Sequence, residues 1–395
     1  MRIVSYTILL GSLLASRFAI ANEPIKAVGK WVEAADGKNG TQRWTASDLT
    51  YDRFNDCLWS IPTTTEGRLI TDESGATSWS VSVYRIDIAT NLSKRTAVTP
   101  VKILFSTSEM QILKGVLSLD GQDIGLDFRA FTASPQKNIF YACTGGANPL
   151  LLRLSLKDDD HMNVVHAARI SALDSTDRTV TDTNGSGWTG LTTDEKGDRL
   201  FLALDQICGD DCPRLFTIEL SDFNGVRSLV NDPDSSVVPT SLEHVRLPVG
   251  RISSLQHVAH PRDQNHPGFL LVLDQNHPQV FIIDLPFRYR EPRAVKLDLI
   301  APSDKVANPG IELNGIFPAG LAVRNSTGPD TTIWVINDPL FSNPDEGSQL
   351  YFPKSVSSDE DEISSFKKDH PILSRNLELE IPLLFEFPLK DFIQP

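Results

Sequence analysis

The stretch that decides the fold runs Gly190-Leu-Thr-Thr-Asp194, then Arg199-Leu-Phe-Leu-Ala-Leu-Asp205, then Arg214-Leu-Phe-Thr-Ile-Glu-Leu220. Each run is five to seven residues, too short for a stable helix and rich in Leu, Phe, Thr and Ile. Between them lie Glu195-Lys-Gly-Asp198 and Gly209-Asp-Asp-Cys-Pro213, which are turn sequences. Short apolar runs punctuated by Gly, Pro, Asn and Asp predict consecutive strands, and helical periodicity is nearly absent along the chain.

The same grammar recurs. Ser254-Leu-Gln-His-Val258, Phe269–Asp274 and Val280–Leu285 form another copy. Asp48–Tyr51, Leu58–Ile61 and Val83–Ile88 form the first, and Leu126–Phe128, Ile139–Cys143 and Leu151–Leu156 the second. Gly320–Val323, Ile333–Ile336 and Leu383–Phe387 form the last. Repeats of roughly 60–80 residues with three or four strands each predict an all-β chain, a β-propeller of five or six blades. Fourth strands are expected at Val164–Ile170, Leu242–Leu247 and Ala294–Ile300. The last copy lacks one, and Val28–Glu33 is expected to supply it and close the ring, leaving no open edge. Residues 89–125 have room for a sixth blade. A large β-sandwich is the rival architecture. Residues 339–382 read as a long loop insertion overhanging one face, with Asp359-Glu-Asp-Glu362 as a solvated acidic run.

The chain has 395 residues, 40% hydrophobic and 22% charged, enough for a large core. Its net charge of −14 argues against a nucleic-acid binder. Four cysteines argue against a disulfide scaffold or a Cys-rich zinc module. Residues 1–21 predict a secretory signal peptide: Arg2, the apolar run Ile3–Leu14, and Ala19-Ile20-Ala21 at the cut. A membrane anchor is the alternative. No later run is apolar for ~20 residues, so no membrane association is expected after cleavage. A single domain over 22–395 in the secretory pathway is expected. Asn39, Asn91, Asn184 and Asn325 begin N-x-S/T sequons. Cys208 and Cys212 are spaced for a small disulfide loop, and Cys57 and Cys143 are expected as buried thiols.

In a propeller, second strands end and inter-blade loops emerge on one face. That alignment predicts a polar ring of Thr63, Thr144, Asp205, Asp274 and Asn337 at a channel mouth, with Trp44, Trp188, Arg251 and Glu312–Asn314 around it. Asp and Asn also end strands because their side chains cap turns, which is the competing explanation of the ring. The chain contains no G-x-S-x-G elbow and no H-E-x-x-H. Gly185–Gly190 matches G-x-G-x-x-G but precedes a strand, so it fails the dinucleotide context. Asp-Gln-Asn-His-Pro occurs at 263–267 and 274–278, at opposite ends of one expected strand, too far apart for one metal. Calcium or zinc on Asp205, Asp274 and Asn337 is geometrically conceivable.

The run Gly190–Asp205 resembles secreted propellers of the gluconolactonase and phytase-like esterase kind. That resemblance implies a metal-dependent lactone or ester hydrolase, with Asp48 the nearest acidic residue on a first opening strand. The signal peptide, the sequons and Trp44–Trp59 resemble fungal secondary-metabolite-cluster propellers, namely the hetero-Diels–Alderases of tropolonic sesquiterpene pathways and the trichothecene-cluster propeller protein. This second resemblance implies a cofactor-free cyclisation or coupling of small apolar terpenoid or polyketide metabolites. Such chemistry needs orientation, which supplies roughly 7–11 kcal/mol in good cases, and donors to a carbonyl oxygen. On that expectation Trp44, Trp188, Phe341 and Tyr351 are walls, Asp205 and Asp274 line the site, and Arg251, His257 and Asn337 polarise. A non-enzymatic binding propeller is the third reading.

Overall fold

A computed structural model describes residues 23–36, 40–42, 44–62, 68–71, 75, 77–88, 95–106, 108–110, 112–113, 127–145, 149–171, 187–205, 214–242, 247, 250–260, 263, 265–285, 292–305, 310–324, 331–339, 352–356 and 359–393. The chain is mostly β. In chain order, β1 (Ile25–Val28), β2 (Lys30–Asp36) and β3 (Gly40–Gln42) lead into a meander of β4 (Asp48–Asp52), β5 (Cys57–Ile61), β6 (Arg68–Thr71), β7 (Thr77–Asp87) and β8 (Arg95–Ser106). The second meander is β9 (Phe128–Ala133), β10 (Ile139–Thr144), β11 (Leu150–Asp158) and β12 (His161–Ile170). The third has β13 (Trp188–Thr193), β14 (Arg199–Leu204) and β15 (Leu215–Glu219), then β16 (Ser236–Val237) and β17 (Thr240–Ser241). The fourth is β18 (Ile252–Val258), β19 (Phe269–Asp274), β20 (Gln279–Asp284) and β21 (Arg293–Pro302), followed by β22 (Gly310–Asn314). The last has β23 (Pro318–Val323) and β24 (Thr332–Asn337), then β25 (Phe352–Pro353) from the insertion, then β26 (Leu383–Pro388).

Within each meander neighbouring strands pair antiparallel, as in β13–β14–β15 and β18–β19–β20–β21. The N-terminal strand does join the last meander: β2 pairs antiparallel with β26, Lys30 opposite Leu384 and Trp31 opposite Leu383. It also pairs parallel with β8, and β8 pairs parallel with β12, so outer strands are hydrogen-bonded across three meanders. The described part of 89–125 is mainly β8, fourth in the pairing order β4–β5–β7–β8 of the first meander, where a sixth blade had room. The opening strand of the second meander lies at Phe128–Ala133, later than the expected Leu126–Phe128. The fourth strand of the third is Thr240–Ser241, just before the expected Leu242–Leu247.

Burial explains which strands are innermost. All six residues of β13, all seven of β18 and all six of β23 are buried. A strand covered on both faces needs no polar alternation. The outer β21 alternates exposed and buried residues, as a half-covered strand does. The core divides into apolar clusters, each between consecutive meanders. Trp188, Leu202 and Phe216 pack on Tyr141 and Leu151, and Phe201 and Leu215 pack on Leu255 and Leu270. The last and first meet the same way, Trp334 and Leu384 against Leu49 and Leu58.

Inner strands from different meanders approach too closely for side chains. A Cβ on Gly190 would lie 2.8 Å from Leu255 Cβ, and one on Gly320 would lie 2.7 Å from the Asp48 carbonyl carbon. Side chains join these strands. Thr50 Oγ1 accepts from Ala133 N at 3.0 Å, and Thr192 Oγ1 accepts from His257 N at 3.0 Å. Thr189 Oγ1 donates to Ile252 O at 2.7 Å, and Ser253 Oγ donates to Pro318 O at 3.2 Å.

The insertion departs from the expected loop. Glu360–Asp369 and Pro371–Glu378 are helices. Asp359 caps the first by accepting from Asp361 N at 2.8 Å, and Glu360, Asp361 and Glu362 fill its first turn. Acidic residues there offset the positive end of the helix dipole, so the acidic run starts a helix. Leu373 and Leu377 of the second helix are buried among Leu297, Leu299 and Phe385.

Candidate functional site

The expected polar ring caps strands and joins meanders. Thr144 Oγ1 accepts from Leu150 N at 2.9 Å, and Asn337 Oδ1 accepts from Leu383 N at 2.6 Å. Asp274, fully buried, accepts from Asn276 N at 3.1 Å and from Gln279 Nε2 at 3.0 Å. Asp205 ties the third meander to the fourth, accepting from Arg251 Nε at 2.9 Å and Ile252 N at 3.1 Å. Burial pushes the Asp205 carboxyl up to about 6, against the opposing pull of Arg251 and Arg214. The local contacts of Thr144 and Asp274 fit the turn-capping explanation, whereas Asp205 and Asn337 bond across 46 positions.

Two of the four expected aromatic walls, Trp44 and Trp188, lie in the core. Trp44 donates from Nε1 to Val32 O at 2.9 Å and packs on Tyr84 at 4.8 Å between ring centroids. Trp188 meets Phe216 edge-on at 5.0 Å. Both are all but fully buried. An indole finds its largest apolar contact between two sheets, which outweighs exposure at a rim. Nor do the expected polarising residues converge. Arg251 precedes β18 and His257 lies near its far end, about 20 Å along an extended strand. Thr63, Phe341, Tyr351, the four sequon asparagines and Cys208 and Cys212 lie outside the described residues. Cys57 and Cys143 are buried thiols, as expected.

The concave region holding His257 is at the opposite end of the inner strands from Asp205. A cavity of about 80 Å³ is lined there by Thr50, Thr132, Ser134, Thr192, Gln256 and His257, with Asp194 and Glu195 on its rim. A second cavity of about 310 Å³ adjoins it between the third and fourth meanders, with Lys196, Phe201, Ala259, His266 and Leu285 in its walls. Asp194, Glu195 and His257 line both. Thr50 and Thr192 take backbone N–H groups on their oxygens. The Thr50 hydroxyl still has its own proton to donate, whereas that of Thr192 points to Thr193 O at 3.4 Å.

His257 sits between the cavities, 5% exposed, with its ring parallel to Phe201 at 5.7 Å. Its Nε2 lies 2.7 Å from Pro267 O. A carbonyl only accepts, so Nε2 carries the proton and Nδ1 is the basic nitrogen. Burial pushes this imidazole below its ordinary value, against the Pro267 bond and the nearby charges of Asp194 and Glu195. It is neutral at pH 7.

Between the two ends lies Asp48, fully buried on β4. It accepts from Ser254 Oγ at 2.5 Å, Leu49 N at 2.8 Å and Phe131 N at 2.9 Å. Desolvation pushes its carboxyl well above the usual range, partly offset by those three donors. Among the described residues no three His, Cys, Asp or Glu side chains group as a metal centre. Asp205 and Asp274 both bond Arg251, the first at Nε and the second at its backbone N at 3.4 Å, while Asn337 bonds Leu383 N.

Sequence reasoning named His257 and Asp48 but missed Thr50, Thr132, Thr192 and Glu195. A signal was present: opening strands end in Thr50-Tyr51, Thr132-Ala-Ser134, Thr192-Thr-Asp194 and Gln256-His257. Polar residues at the end of otherwise buried strands mark where an inner cavity opens.

No family model and no curated protein sequence matches the chain. Among solved structures, the calcium-binding protein regucalcin of Agrobacterium tumefaciens is 11% identical, covers 90% of this chain and 95% of its own, and superposes with a TM-score of 0.37. A luciferin-regenerating enzyme is 9% identical over 91% of this chain and 94% of its own, with a TM-score of 0.36. The major Malassezia sympodialis allergen Mala s 1 is 10% identical over 74% of this chain and 87% of its own, with a TM-score of 0.37. Likeness at this level transfers no activity, and the resemblance to fungal cluster propellers rests on sequence features alone.

Proposed function

We propose that the chain is a secreted five-bladed β-propeller, its last blade completed by β2, that binds one small polar ligand in the paired cavities around His257. The observation that carries the site is that His257, Asp194 and Glu195 line both cavities. The five-bladed reading is supported by the meander pairings and by apolar packing of the last meander on the first. At about 310 Å³ the larger cavity is at the small end of the ~300–1,000 Å³ range of ligand pockets. That volume suits one small molecule better than two bulky partners held for coupling.

The lining suits a ligand that both donates and accepts hydrogen bonds. Hydroxyls face it from Thr50 and Thr192, carboxylates from Asp194 and Glu195, and a cation from Lys196. The chemistry within reach is orientation and hydrogen bonding, which suits ring closure or ring opening of a single substrate without a cofactor. This keeps the cofactor-free character expected from sequence and moves it from the Arg251 end to the His257 end. Secretion rests on residues 1–21, and N-terminal sequencing of protein from a eukaryotic host should begin at Asn22.

The site is tested by screening small hydroxylated, carbonyl and lactone compounds for thermal stabilisation, then retesting hits on Glu195→Gln and His257→Gln. Glu195 is exposed, so its variant should fold normally and weaken binding about tenfold. Hits that bind both variants as tightly as the parent would place the ligand elsewhere. A hit lost instead in Arg251→Ala would return the site to the other end.

A further inference from the structure

We propose that the connection between β18 and β19, which walls the larger cavity, is held shut by neutral histidines and opens when they take up protons. Ala259, Asn265, His266 and Pro267 of this connection form the wall. Its importance for ligand entry rests on the binding reading above. The switch itself does not.

Three imidazoles hold the segment, each in a defined tautomer. His260 Nδ1 accepts from Asp263 N at 2.9 Å, and His266 Nδ1 accepts from Gly268 N at 3.0 Å. Both nitrogens must therefore be unprotonated, with the ring proton on Nε2. His266 Nε2 then lies 3.0 Å from Asp284 Oδ1. His257 donates from Nε2 to Pro267 O. The rings of His260 and His266 are 4.6 Å apart and both stack on Phe269.

Protonation works against this arrangement. A proton on Nδ1 of His260 or His266 turns an acceptor into a donor that faces a backbone N–H. Two cationic rings 4.6 Å apart would also repel. Gly268 lies tight against the end of β18. Its φ is +98°, and a Cβ there would lie 2.2 Å from Val258 O. Among the described residues, the charged groups facing the cluster are Asp263 on the connection, Asp284 at the end of β20, and Asp194, Glu195, Lys196 and Arg199 from the facing β13–β14 hairpin. A protonated His266 would leave Gly268 N–H without its acceptor. His257 is more buried and stays neutral longest. The segment should therefore loosen as these imidazoles take up protons in acid.

The test is amide hydrogen exchange of residues 259–268 in the full chain without ligand, at pH 7.5 and 5.5, corrected for intrinsic exchange. The expected result is a loss of protection of about tenfold at the lower pH. In His260→Asn/His266→Asn, the amide oxygens replace both acceptors and cannot be protonated in this range. That variant should change less than about twofold. Equal pH responses in parent and variant, or none in the parent, would overturn the switch. NMR of the parent imidazoles is independent of any variant: both rings should be Nε2–H tautomers at pH 7.5, and Nδ1–H tautomers would also overturn it. Because no ligand is present, failure to find one for the cleft bears on the binding reading alone.

Discussion

The Asp48 carboxylate accepts a 2.5 Å hydrogen bond from the hydroxyl of Ser254, 206 positions further along the chain, with both side chains fully buried. Ser254 Oγ in turn accepts from Leu321 N at 3.1 Å, and the other Asp48 oxygen accepts from Phe131 N. One carboxylate and one hydroxyl thus tie the opening strands of four meanders together.

Removing either partner leaves buried donors without acceptors, at about 1–3 kcal/mol each. Ser254→Ala strands Leu321 N–H, and Asp48→Ala strands Leu49 N–H and Phe131 N–H. We expect Asp48→Ala to be the more destabilising, and the double variant to lose less than the sum, in urea denaturation at pH 7. Additive losses would mean that the pair is not coupled.

Asp205 sets a pH dependence of stability. Its folded-state value, near 6, lies above the unfolded value of about 3.9. A carboxyl raised on folding contributes most below the unfolded value, and that contribution is lost as pH rises through 6. The shift of roughly two units is worth about 3 kcal/mol. Asp205→Asn should flatten the fall in unfolding free energy between pH 4 and pH 6. A parallel curve for parent and variant would show that Asp205 is not the group responsible.

Trp188 separates a core role from a wall role. Trp188→Ala should cost ~3–5 kcal/mol in denaturant midpoint analysis, as expected for a buried aromatic. Trp188→Phe should keep most of the stability and all ligand affinity in the His257 cleft. A Trp188→Phe variant of parental stability with lost binding would restore it to the site.

The N-terminal strand is expected to be indispensable. Deleting residues 22–36 exposes the edge of β26 that pairs with Lys30 and Trp31. Open edges recruit other chains, so the truncated protein should elute as aggregates where the full chain does not. A monodisperse, equally stable truncation would remove β2 from the architecture.

The sequence by itself determined the strands and their grouping. Runs such as Arg199–Leu204 and Phe269–Asp274 declare themselves locally, because apolar content, short length and turn residues are properties of neighbouring positions. The pairing of Lys30–Asp36 with Leu383–Pro388 was legible because the last repeat was one strand short. Tertiary structure decided which end holds a cavity and what the polar residues do there. Asp205 and Asn337 look like ligands in sequence, but their partners Arg251 and Leu383 lie 46 positions away. Trp44 and Trp188 look like walls, but the sheets they fill come from other repeats. His257 gained its meaning from Phe201 and Pro267, which no local pattern connects to it. Strand formation is governed by adjacent residues. A cavity is the space left when strands distant in sequence fail to fill it, and its location depends on all of them at once.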